Sequence, residues 1–457
     1  MIPTPAFKNK SIAILGLGRT GMACAHALAH AGADVVLWDD NEVHRKEAEQ
    51  AGFKVTDFAH MAWDGVDALV PSPGIPATFP KPHEMIEKAR SANVPVFGDL
   101  EIFARSRQAL PPHHLAVVTG TNGKSTTTAL LAHVLAHAGK PTAMGGNIGA
   151  AMLGLEPLPQ DGVYVVEASS FQLEQSISLS ADIAILLNIA PDHLDRHGNF
   201  ENYIAAKKHL FDMQRPEQVA IIAVDDEPSR TIADQVRAKL IPVSSQRPVP
   251  HGIYVQGGVL IDNLTNEHHA IDLQSNWPSL QGPHNAQNVA AVTAAARVLG
   301  LSREAIVDGL RSYQALSHRM EPFGEIKGVP FINDSKATNA DSAARAVSSF
   351  ERVNWIMGGI AKTKDLGPME AVLPHVSKAY LIGEAQDLYA QLFEGRIAFD
   401  KFGSLEAATR QAFEDAQETG GVVLLSPACA SQDQYKDFAA RGEDFRRIFT
   451  AMKGEAA

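Results

Sequence analysis

Short apolar runs alternate along this chain with stretches whose apolar residues recur at helical spacing. In the first part of the chain, apolar runs of strand length cover 12–15, 35–38, 67–70 and 94–97. Stretches with helical spacing lie between them at 21–31, 43–51 and 82–92. Alternation of strand and helix predicts parallel strands joined by right-handed crossovers, which is the arrangement of an α/β domain.

The same alternation starts again twice. The segment RSRQALPPHH at 105–114 interrupts the first series with two prolines and several polar residues, and we place a domain boundary there. A second series runs from 115 to 224, and an irregular Gly/Pro/Asn-rich region at 240–283 separates it from an Ala-rich helix near Asn285. A third series begins at about 316. The pattern therefore predicts three α/β domains at 1–105, 106–315 and 316–457.

Composition narrows the classes of protein to consider. A length of 457 residues fits two to four domains, and a formal net charge of −12 disfavours a general binder of nucleic acid or anionic membrane. Cys24 and Cys429 lie far apart outside any C-x-x-C spacing, which excludes a disulfide framework and is typical of a cytoplasmic protein. No apolar signal core or long apolar run occurs, so we expect neither export nor a membrane span.

The stretch SIAILGLGRTG ends a strand candidate and opens a helix candidate. Gly16, Gly18 and Gly21 have G-x-G-x-x-G spacing, and Asp39 follows the last glycine by 39 − 21 = 18 residues. Such a turn offers N–H groups to a diphosphate, and an acid at this distance is typical of a ribose contact. NAD, a different nucleotide and a purely structural turn stay open, because only one half of a dinucleotide fold precedes the next glycine loop.

A second glycine loop stands in VVTGTNGKSTTTALLAHVL at 117–135, between a strand candidate and a helix candidate. Lys124 and Ser125 have the G-K-S order that contacts phosphates and Mg²⁺. Val118 stands where the common loop has its first glycine, so the spacing is a variant. Glycines alone would fit a plain turn, but Lys124, Ser125 and Thr126 at a helix start predict phosphate binding.

Further polar residues follow the strands of the second series. Glu167 ends VYVVEAS, where a carboxylate could reach a metal held by Ser125 or could merely cap a helix. PDHLDRHG at 191–198 is dense enough in His and Asp for metal ligation or phosphate ordering, but also typical of a polar loop. Lys207 and Lys208 lie in a helical pattern, and adjacent lysines usually form a solvated face.

A set of motifs extends over essentially the whole chain. In order, they are GLGRTG, SPGI, GTNGKSTTT, GNIG, EASSFQLE, DHLDRHGNFENYIAAK, GPHNAQNVAAV, HRME, NDSKATN and LLSPACASQDQYKDF. This order resembles the Mur ligases. The resemblance implies an α/β fold with an N-terminal Rossmann-like domain, a central P-loop ATPase-type domain with a parallel sheet, and a C-terminal Rossmann-like domain.

The resemblance also implies an activity. It implies an ATP-dependent amide ligase of peptidoglycan precursor synthesis, with UDP-N-acetylmuramoyl-L-alanine and D-glutamate as substrates. Its cofactors would be ATP and two Mg²⁺ ions, and Lys207 would be carbamylated by CO₂, which replaces the interpretation of Lys207 as a solvated residue. We further expect a cytoplasmic monomer with no nucleic-acid partner.

Site residues carry over by position. The UDP group would contact Gly18, Arg19, Thr20, Gly21, Asp39, Ser72, Pro73 and Gly74. ATP would contact Gly120, Thr121, Asn122, Gly123, Lys124, Ser125, Thr126, Asn285, Asn288, Arg319, Asp334 and Lys336. The catalytic residues would be Lys124, Glu167, His193 and Lys207, and the metal residues Ser125, Glu167, His193 and Lys207. Asn147 and His193 would lie beside the substrate carboxylate, and the amino acid would contact Thr338, Lys362, Ser431 and Phe438.

Several alternatives remain at this level. Lys362 and Lys364 both stand near the position expected for a glutamate-binding lysine, and we take Lys362. Neither spacing nor motif separates D- from L-glutamate. A folylpolyglutamate synthase shares the central and C-terminal motifs but lacks a domain like 1–105, whereas an NAD-dependent oxidoreductase would make the phosphate loop incidental. Cys429 has no evident histidine partner, so we expect it to be a packing residue.

Overall fold

The computed structural model describes residues 1–265, 269–272, 280, 283–314 and 316–456. It contains three separate β-sheets with associated helices, which confirms the predicted α/β class. The described chain divides into two compact units, of which the first comprises the described residues up to 280 together with 285–313, and the second comprises 283–284 and 314–456. Among the described residues, no helix is both long enough and apolar enough to cross a membrane.

The N-terminal sheet is fully parallel. Its strands are β1 (Ser11–Leu15), β2 (Asp34–Trp38), β3 (Lys54–Val55) and β4 (Ala68–Pro71), in the order β3-β2-β1-β4. Its helices are α1 (Arg19–His30), α2 (Glu42–Gln50), α3 (Glu84–Ser91) and α4 (Asp99–Ser106). The predicted strand at 94–97 is wrong, since a single bridge joins Val96 to Leu69 and Pro95 has no N–H to donate to a neighbouring strand.

The second sheet of the first unit has nine strands. They are β5 (His113–Thr119), β6 (Thr142–Gly146), β7 (Gly162–Glu167), β8 (Ile183–Leu186), β9 (Val219–Ala223), β10 (Lys239–Ser244), β11 (Ile253–Gln256), β12 (Val259–Asp262) and β13 (His269–Asp272). Their order is β13-β12-β11-β10-β9-β8-β5-β7-β6. Every residue of β7 and β8 is buried, as expected for parallel strands covered on both faces.

The prediction that 240–283 is irregular is largely wrong. This region contains most of β10 and the short strands β11, β12 and β13. β12 pairs antiparallel with both β11 and β13, and these strands extend the sheet. Short strands interrupted by Gly, Pro and Asn carry a weak pattern signal. Residues 266–268, 273–279 and 281–282 of this region, and Ala315 at the expected domain boundary, lie outside the described residues.

Helices of the central region connect these strands. They are α5 (Lys124–His137), α6 (Ser170–Glu174), α7 (Leu194–His197), α8 (Phe200–Asp212), α9 (Glu227–Ala233), α10 (Pro283–Val298) and α11 (Arg303–Ser312). The predicted Ala-rich helix corresponds to α10, and its described side chains from Asn285 to Ala296 are buried.

The segment at 105–114 is not a free linker. It contains the end of α4, a short 3-10 turn at Arg107–Ala109 and the start of β5. Arg107 donates to Ser180 O and Asp182 Oδ2, both at 2.7 Å. Glu101 on α4 accepts from the N–H groups of Ile177 and Ser178 at 2.8 and 2.7 Å. These polar contacts hold α4 against the central part of the first unit.

The second unit has a six-stranded sheet. Its strands are β14 (Glu321–Ile326), β15 (Val329–Asn333), β16 (Val353–Gly358), β17 (Val376–Ile382), β18 (Phe399–Lys401) and β19 (Val422–Leu425), in the order β14-β15-β19-β16-β17-β18. Its helices are α12 (Ala340–Val347), α13 (Gln386–Phe393), α14 (Leu405–Thr419) and α15 (Phe438–Ala456). All neighbouring strands are parallel except the β14–β15 pair.

Buried side chains of each unit include one of the two cysteines. Cys24 on α1 is 1% exposed and Cys429 is fully buried, and both are free thiols. Cys429 packs in the same apolar cluster as Trp355 and Phe393 of the second unit, which confirms the expected packing role. Trp355 is fully buried, and its Nε1 donates to Ser426 O at 2.7 Å.

Replacing Trp355 tests this core. We expect Trp355→Ala to lower the free energy of unfolding of the second unit by about 3–5 kcal/mol, because it removes a large buried ring and leaves a cavity. Val43→Ala on α2, at a side chain 59% exposed, should change stability by less than about 0.5 kcal/mol. Thermal unfolding followed by circular dichroism measures both, and an unchanged transition in Trp355→Ala would contradict the packing described.

Candidate functional site

The first glycine turn requires glycine for steric reasons. Gly16 has φ +88°, and a Cβ there would lie 2.8 to 2.9 Å from Ile75 and Ser72. Ser72 Oγ donates to Gly16 O at 2.8 Å. A Cβ at Gly21 would lie 1.9 Å from Gly16 O. The turn therefore packs its own backbone against α1, and Gly18 begins α1 without a side-chain cap.

A cavity of about 420 Å³ opens at this turn. Of the residues predicted to hold the UDP group, Gly18, Arg19, Thr20, Asp39, Ser72, Pro73 and Gly74 line it, as does Asn147. Gly21 is not among the lining residues, because it faces the Gly16 carbonyl. Gly16 of the predicted glycine turn lines the cavity as well. The sequence prediction missed the lining residues Leu15, Asp40, Ile75 and Gln172.

Asp39 organises one wall of this cavity. Its carboxylate accepts from the N–H groups of Leu17 at 2.6 Å and Asn41 at 2.8 Å, and lies 3.0 Å from His44 Nδ1. Burial opposes its charged form, but these hydrogen bonds outweigh it and hold the pKa of Asp39 below its usual value. Arg19, which also lines the cavity, donates to Gly149 O at 2.7 Å. The cavity thus has both an anionic and a cationic side chain.

The second glycine loop connects β5 to α5. Gly120 and Gly123 have φ +147° and +83°, and a Cβ at Gly123 would lie 2.4 Å from Asn288 Oδ1. Gly123 caps α5 and has no side chain that could donate to or accept from the helix start. Such a helix start attracts a phosphate. Lys124 Nζ donates to Gly120 O at 2.9 Å and Thr121 O at 2.8 Å, which folds its side chain over the loop.

A chain of buried amides supports the loop from the other side. Asn122 N donates to Asn188 Oδ1 at 2.9 Å, Asn188 Nδ2 donates to Gln287 Oε1 at 2.9 Å, and Gln287 Nε2 donates to Asp225 at 2.8 Å. Sequence reasoning missed this chain, because an isolated amide carries no spacing signal.

Two predicted nucleotide residues lie on α10 beside the loop. Asn288 Oδ1 accepts from Thr127 Oγ1 at 3.1 Å, and Asn288 Nδ2 donates to Asn285 Oδ1 at 3.1 Å. The structure therefore brings Asn285 and Asn288 together with the loop residues 120–126, as the sequence predicted, although they are far apart in the chain.

Glu167 lies at the end of β7, next to Asn147. Asn147 Nδ2 donates to Glu167 Oε1 at 2.6 Å. Glu167 is 1% exposed, and its Oε2 has no hydrogen-bond partner among the residues that the structure describes. A buried carboxylate oxygen without a donor is costly unless a ligand satisfies it. Ser169 caps the following helix α6, so the alternative in which Glu167 merely caps a helix is wrong.

Lys207 on α8 is buried against the glycine loop. It is 1% exposed, donates to Gly120 O at 2.8 Å, and lies 4.6 Å from the ring centre of Tyr203. Burial, and secondly the charge of Lys124, lower the pKa of the Lys207 amine well below its usual value. The solvated-face interpretation is therefore wrong for Lys207, whereas it holds for Lys208, which pairs with Asp212 at the surface.

The His/Asp-rich turn separates into two parts. His193 has φ +53°, begins α7, and lies edge-on to Phe171 at 5.1 Å. His197 is buried, its ring centre lies 5.2 Å from that of Phe171 in a stacked arrangement, and its Nε2 lies 3.0 Å from Ser170 Oγ. We therefore assign His197 a packing role. The negative charge of Asp192 partly opposes the lowering of the pKa of the Lys207 amine. Within the described part of the chain, no group of three His, Cys, Asp or Glu side chains could by itself hold a metal ion.

Predicted nucleotide and amino-acid residues of the second unit lie near one another. Asp334 accepts from Ser426 Oγ at 2.9 Å and from Met320 N at 3.1 Å. Burial raises the pKa of Asp334 to about 7, and the nearby charge of Arg319 acts in the opposite direction. Lys336 Nζ lies 4.0 Å from the ring centre of Phe438.

A buried arginine that the sequence prediction missed connects these segments. Arg441 on α15 is 1% exposed and donates to Ser335 Oγ at 3.0 Å, Ser335 O at 2.9 Å and Cys429 O at 3.2 Å. Ser335 lies next to Lys336 and close to Thr338. Arg441 therefore links the Thr338 segment to the segment that precedes Ser431.

Ser431 and Lys362 lie in the same region. Ser431 Oγ is buried without a hydrogen-bond partner among the described residues. Burial raises the pKa of the Cys429 thiol to about 11, and the charge of Lys362 is among those acting in the opposite direction. Lys362 therefore lies close to the Ser431 segment. Lys362 and Lys364 are both exposed.

Comparison with protein families gives three matches along the chain. A MurD-like N-terminal domain of Mur ligases matches residues 10–98, the Mur ligase middle domain matches 118–296, and the Mur ligase glutamate ligase domain matches 318–429. The first match favours a Mur ligase over a folylpolyglutamate synthase, since it covers the domain that the latter lacks.

Two relatives that match over their full length carry the same name. The chain is 46% identical to the "UDP-N-acetylmuramoylalanine--D-glutamate ligase" of Caulobacter vibrioides, with 100% of both chains covered. It is 47% identical to the protein of the same name from Sphingopyxis alaskensis, with 99% of this chain and 100% of the relative covered.

Solved structures share the fold at low identity. MurF ligase from Thermotoga maritima in complex with ADP has a TM-score of 0.60 at 15% identity, over 100% of this chain and 98% of that one. The UDP-N-acetylmuramate-alanine ligase MurC from the same organism has a TM-score of 0.58 at 17% identity, over 97% and 100%. With three domain matches in order and full-length relatives above 40% identity, the chain belongs to the Mur ligase family of ATP-dependent ligases.

Proposed function

We propose that this protein is an ATP-dependent amide ligase that adds D-glutamate to UDP-N-acetylmuramoyl-L-alanine in the synthesis of peptidoglycan precursors. The full-length likeness to relatives named for this reaction carries the proposal. A cytoplasmic monomer fits it, because all three predicted binding regions belong to one chain.

The N-terminal cavity would hold the UDP end of the substrate. Its glycine turn presents the start of α1 to an anion, and Arg19 adds a positive charge. Asp39 is already bound to backbone N–H groups, so we assign it a double role, in which it shapes the turn and offers its remaining acceptor capacity to the ligand.

The central loop would hold ATP. The uncapped start of α5 and the ammonium of Lys124 both favour phosphate oxygens. Lys124 now contacts carbonyl oxygens of its own loop, and a phosphate is a stronger acceptor for a charged donor than a neutral carbonyl. Lys124 would therefore turn to the phosphates and stabilise the charge that shifts between them.

The reaction would proceed in two steps. The carboxylate of the L-alanyl residue attacks the γ-phosphorus of ATP, and the bond from that phosphorus to ADP breaks. The resulting acyl phosphate has a leaving group that a carboxylate lacks. The amine of D-glutamate then attacks the acyl carbon and loses a proton, while the bond to phosphate breaks and an amide remains. Positioning and charge neutralisation carry most of the rate in such transfers.

The donor set around Glu167 fits Mg²⁺. Ser125 offers a hydroxyl oxygen and Glu167 a buried carboxylate oxygen without a donor, and Mg²⁺ prefers oxygen ligands together with substrate phosphates. Ser125, Glu167, His193 and Lys207 would hold two ions. When bound, Mg²⁺ neutralises charge between the two anions that must approach each other.

Lys207 would act as a carbamate. Its amine adds to the carbon of CO₂ and releases a proton, and this requires the neutral amine that a lowered pKa favours. The change converts a buried cation into an anion with two oxygen atoms. Lys207 would then join Glu167 as a carboxylate-like ligand.

The second unit would receive D-glutamate. Arg441 bonds to Ser335, close to Thr338 in the chain, and to Cys429, close to Ser431. Phe438 is the first residue of the helix α15 that carries Arg441. Lys362 acts on the Cys429 thiol through its charge, and we therefore retain it over Lys364 as the residue for a substrate carboxylate. Arg319, Asp334 and Lys336 would complete nucleotide binding.

Phosphate release tests the function directly. With ATP, Mg²⁺ and UDP-N-acetylmuramoyl-L-alanine, we expect release only when D-glutamate is added. L-glutamate, meso-diaminopimelate and omission of the amino acid serve as controls. Release with another amino acid would move the protein to a different ligase step, and no release under any condition would contradict ligase activity.

Substitution of two glycines distinguishes an effect on the geometry of the phosphate loop from the backbone strain that alanine causes at a positive φ. Gly123→Ala should lower kcat/KM for ATP by roughly 100-fold, because its Cβ meets Asn288 and displaces the loop. Gly139→Ala is the matched control, since its φ of +80° equals that of Gly123 within a few degrees but a Cβ there meets nothing within 4 Å. It should cost about 1–2 kcal/mol of stability and leave the KM for ATP unchanged. Equal kinetic losses in both variants would contradict a phosphate site at Gly123.

Two neighbouring lysines test the carbamate. Lys207→Ala should reduce ligation by about 100- to 1,000-fold, and added bicarbonate or short carboxylates should restore part of it. Lys208→Ala, at the exposed neighbour, should remain within about two-fold of the parent. Phosphate release measures both variants. Full activity of Lys207→Ala would show that no carbamate is needed.

A further inference from the structure

A buried acid lies behind the wall of the N-terminal cavity and has no part in the function proposed so far. Asp99 is the first residue of α4 and is 2% exposed. It is not among the residues that line the cavity, whereas its hydrogen-bond partner Gln172 is. Gln172 Nε2 lies 3.3 Å from both carboxyl oxygens of Asp99.

The other end of the Gln172 amide is held as well. Its Oε1 accepts from Ser169 N and from Ser169 Oγ, both at 3.2 Å. Ser169 Oγ in turn accepts from Gln172 N at 3.2 Å, which forms a capping box at the start of α6. Because Ser169 uses both lone pairs of Oε1, the amide can place only its nitrogen towards Asp99.

In this arrangement, one of the two side-chain N–H groups of Gln172 has no acceptor among the described residues. The two oxygens of one carboxyl group lie in nearly the same direction from Nε2, so a single N–H serves both. The second N–H points about 120° away, and it has no acceptor among the residues that the structure describes. Gln172 lines the cavity, so a ligand there can supply the missing acceptor.

We propose that Asp99 is a positioning residue of the substrate cavity, which holds the Gln172 amide so that its second N–H donates to an oxygen atom of the bound sugar nucleotide. This rests on the proposed function, in which the cavity takes UDP-N-acetylmuramoyl-L-alanine. An amide N–H can only donate, so the ligand atom that it contacts is an acceptor oxygen.

The surroundings of Asp99 support a role beyond packing. Burial raises the pKa of Asp99, and the hydrogen bond from Gln172 is the first of the interactions that oppose this shift. Backbone N–H groups and the charge of Arg19, which lines the cavity, act in the same direction as Gln172. Among side chains, Gln172 is therefore the direct hydrogen-bond partner that stabilises the charged form of Asp99.

Glu101 provides a matched control on the same helix. It is a buried acid, 1% exposed, and like Asp99 it fastens α4 to the segment after β7. Its partners are the N–H groups of Ile177 and Ser178, which do not line the cavity. A structural role for Asp99 would make the two acids equivalent, whereas a positioning role would separate them.

Calorimetric binding of UDP-N-acetylmuramoyl-L-alanine to the full-length protein without ATP tests the proposal. Asp99→Ala should weaken binding about 10-fold, which is the scale of one hydrogen bond. Asp99→Asn, whose oxygen can still accept from Gln172, should remain within about three-fold of the parent, and Glu101→Ala should bind normally despite lower thermal stability. If Asp99→Ala does not fold, Asp99→Ser takes its place, because its hydroxyl is too short to reach Gln172.

A double variant identifies the route of the effect. Gln172→Leu should weaken binding as much as Asp99→Ala, and the combination should be no weaker than either alone. Additive losses, an unchanged affinity in Asp99→Ala, or an equal loss in Glu101→Ala would each overturn the positioning role. Absence of binding by the parent protein would instead overturn the proposed function, and with it the substrate assigned to this cavity.

Discussion

The central site depends on the burial of the Lys207 amine against the carbonyl of Gly120. An isolated ammonium is costly in such a place, and a second cation, Lys124, lies near enough to lower its pKa further. The site therefore disfavours the charged form of the Lys207 amine. Glu167, Lys124 and the glycine loop share one small region with an amine that is costly to charge.

Both glycine loops occupy equivalent places in their sheets. β1 lies between β2 and β4, and β5 lies between β8 and β7. In each sheet the chain first adds strands on one side of this central strand and then crosses to its other side, which opens a crevice beyond its carboxyl end. Residues that follow the flanking strands complete the walls, as Asp39 and Ser72 do in one sheet and Glu167 and Asn188 in the other. One topological rule therefore places a glycine loop at the carboxyl end of the central strand in both sheets.

Much of this could be predicted from the sequence, and the omissions have identifiable causes. Apolar runs located the central parallel strands well, because such strands are buried on both faces. The strands β11 to β13 are short and interrupted by turn residues, so their pattern is weak. The glycine loops were found because phosphate binding constrains spacing locally.

Side chains whose partners lie far away in the sequence were harder to predict. Lys207 looked solvated by pattern alone, since burial of a charged residue depends on what α8 packs against and not on its own neighbours. Gln172, Asp99 and Arg441 form contacts across the fold, and a single amide or charge has no periodicity. Only the ordered set of motifs could identify Lys207; it contains Gln172 without giving it a role, and it includes neither Asp99 nor Arg441.

The distribution of the two cysteines has a practical consequence. Each unit contains one free thiol, and both are shielded from solvent in the folded chain. A thiol-directed reagent can therefore reach either sulfur only when the surrounding unit opens. Because the two modified peptides differ in mass, the rates at which they are labelled report the opening of the two halves of the molecule separately, without any engineered probe.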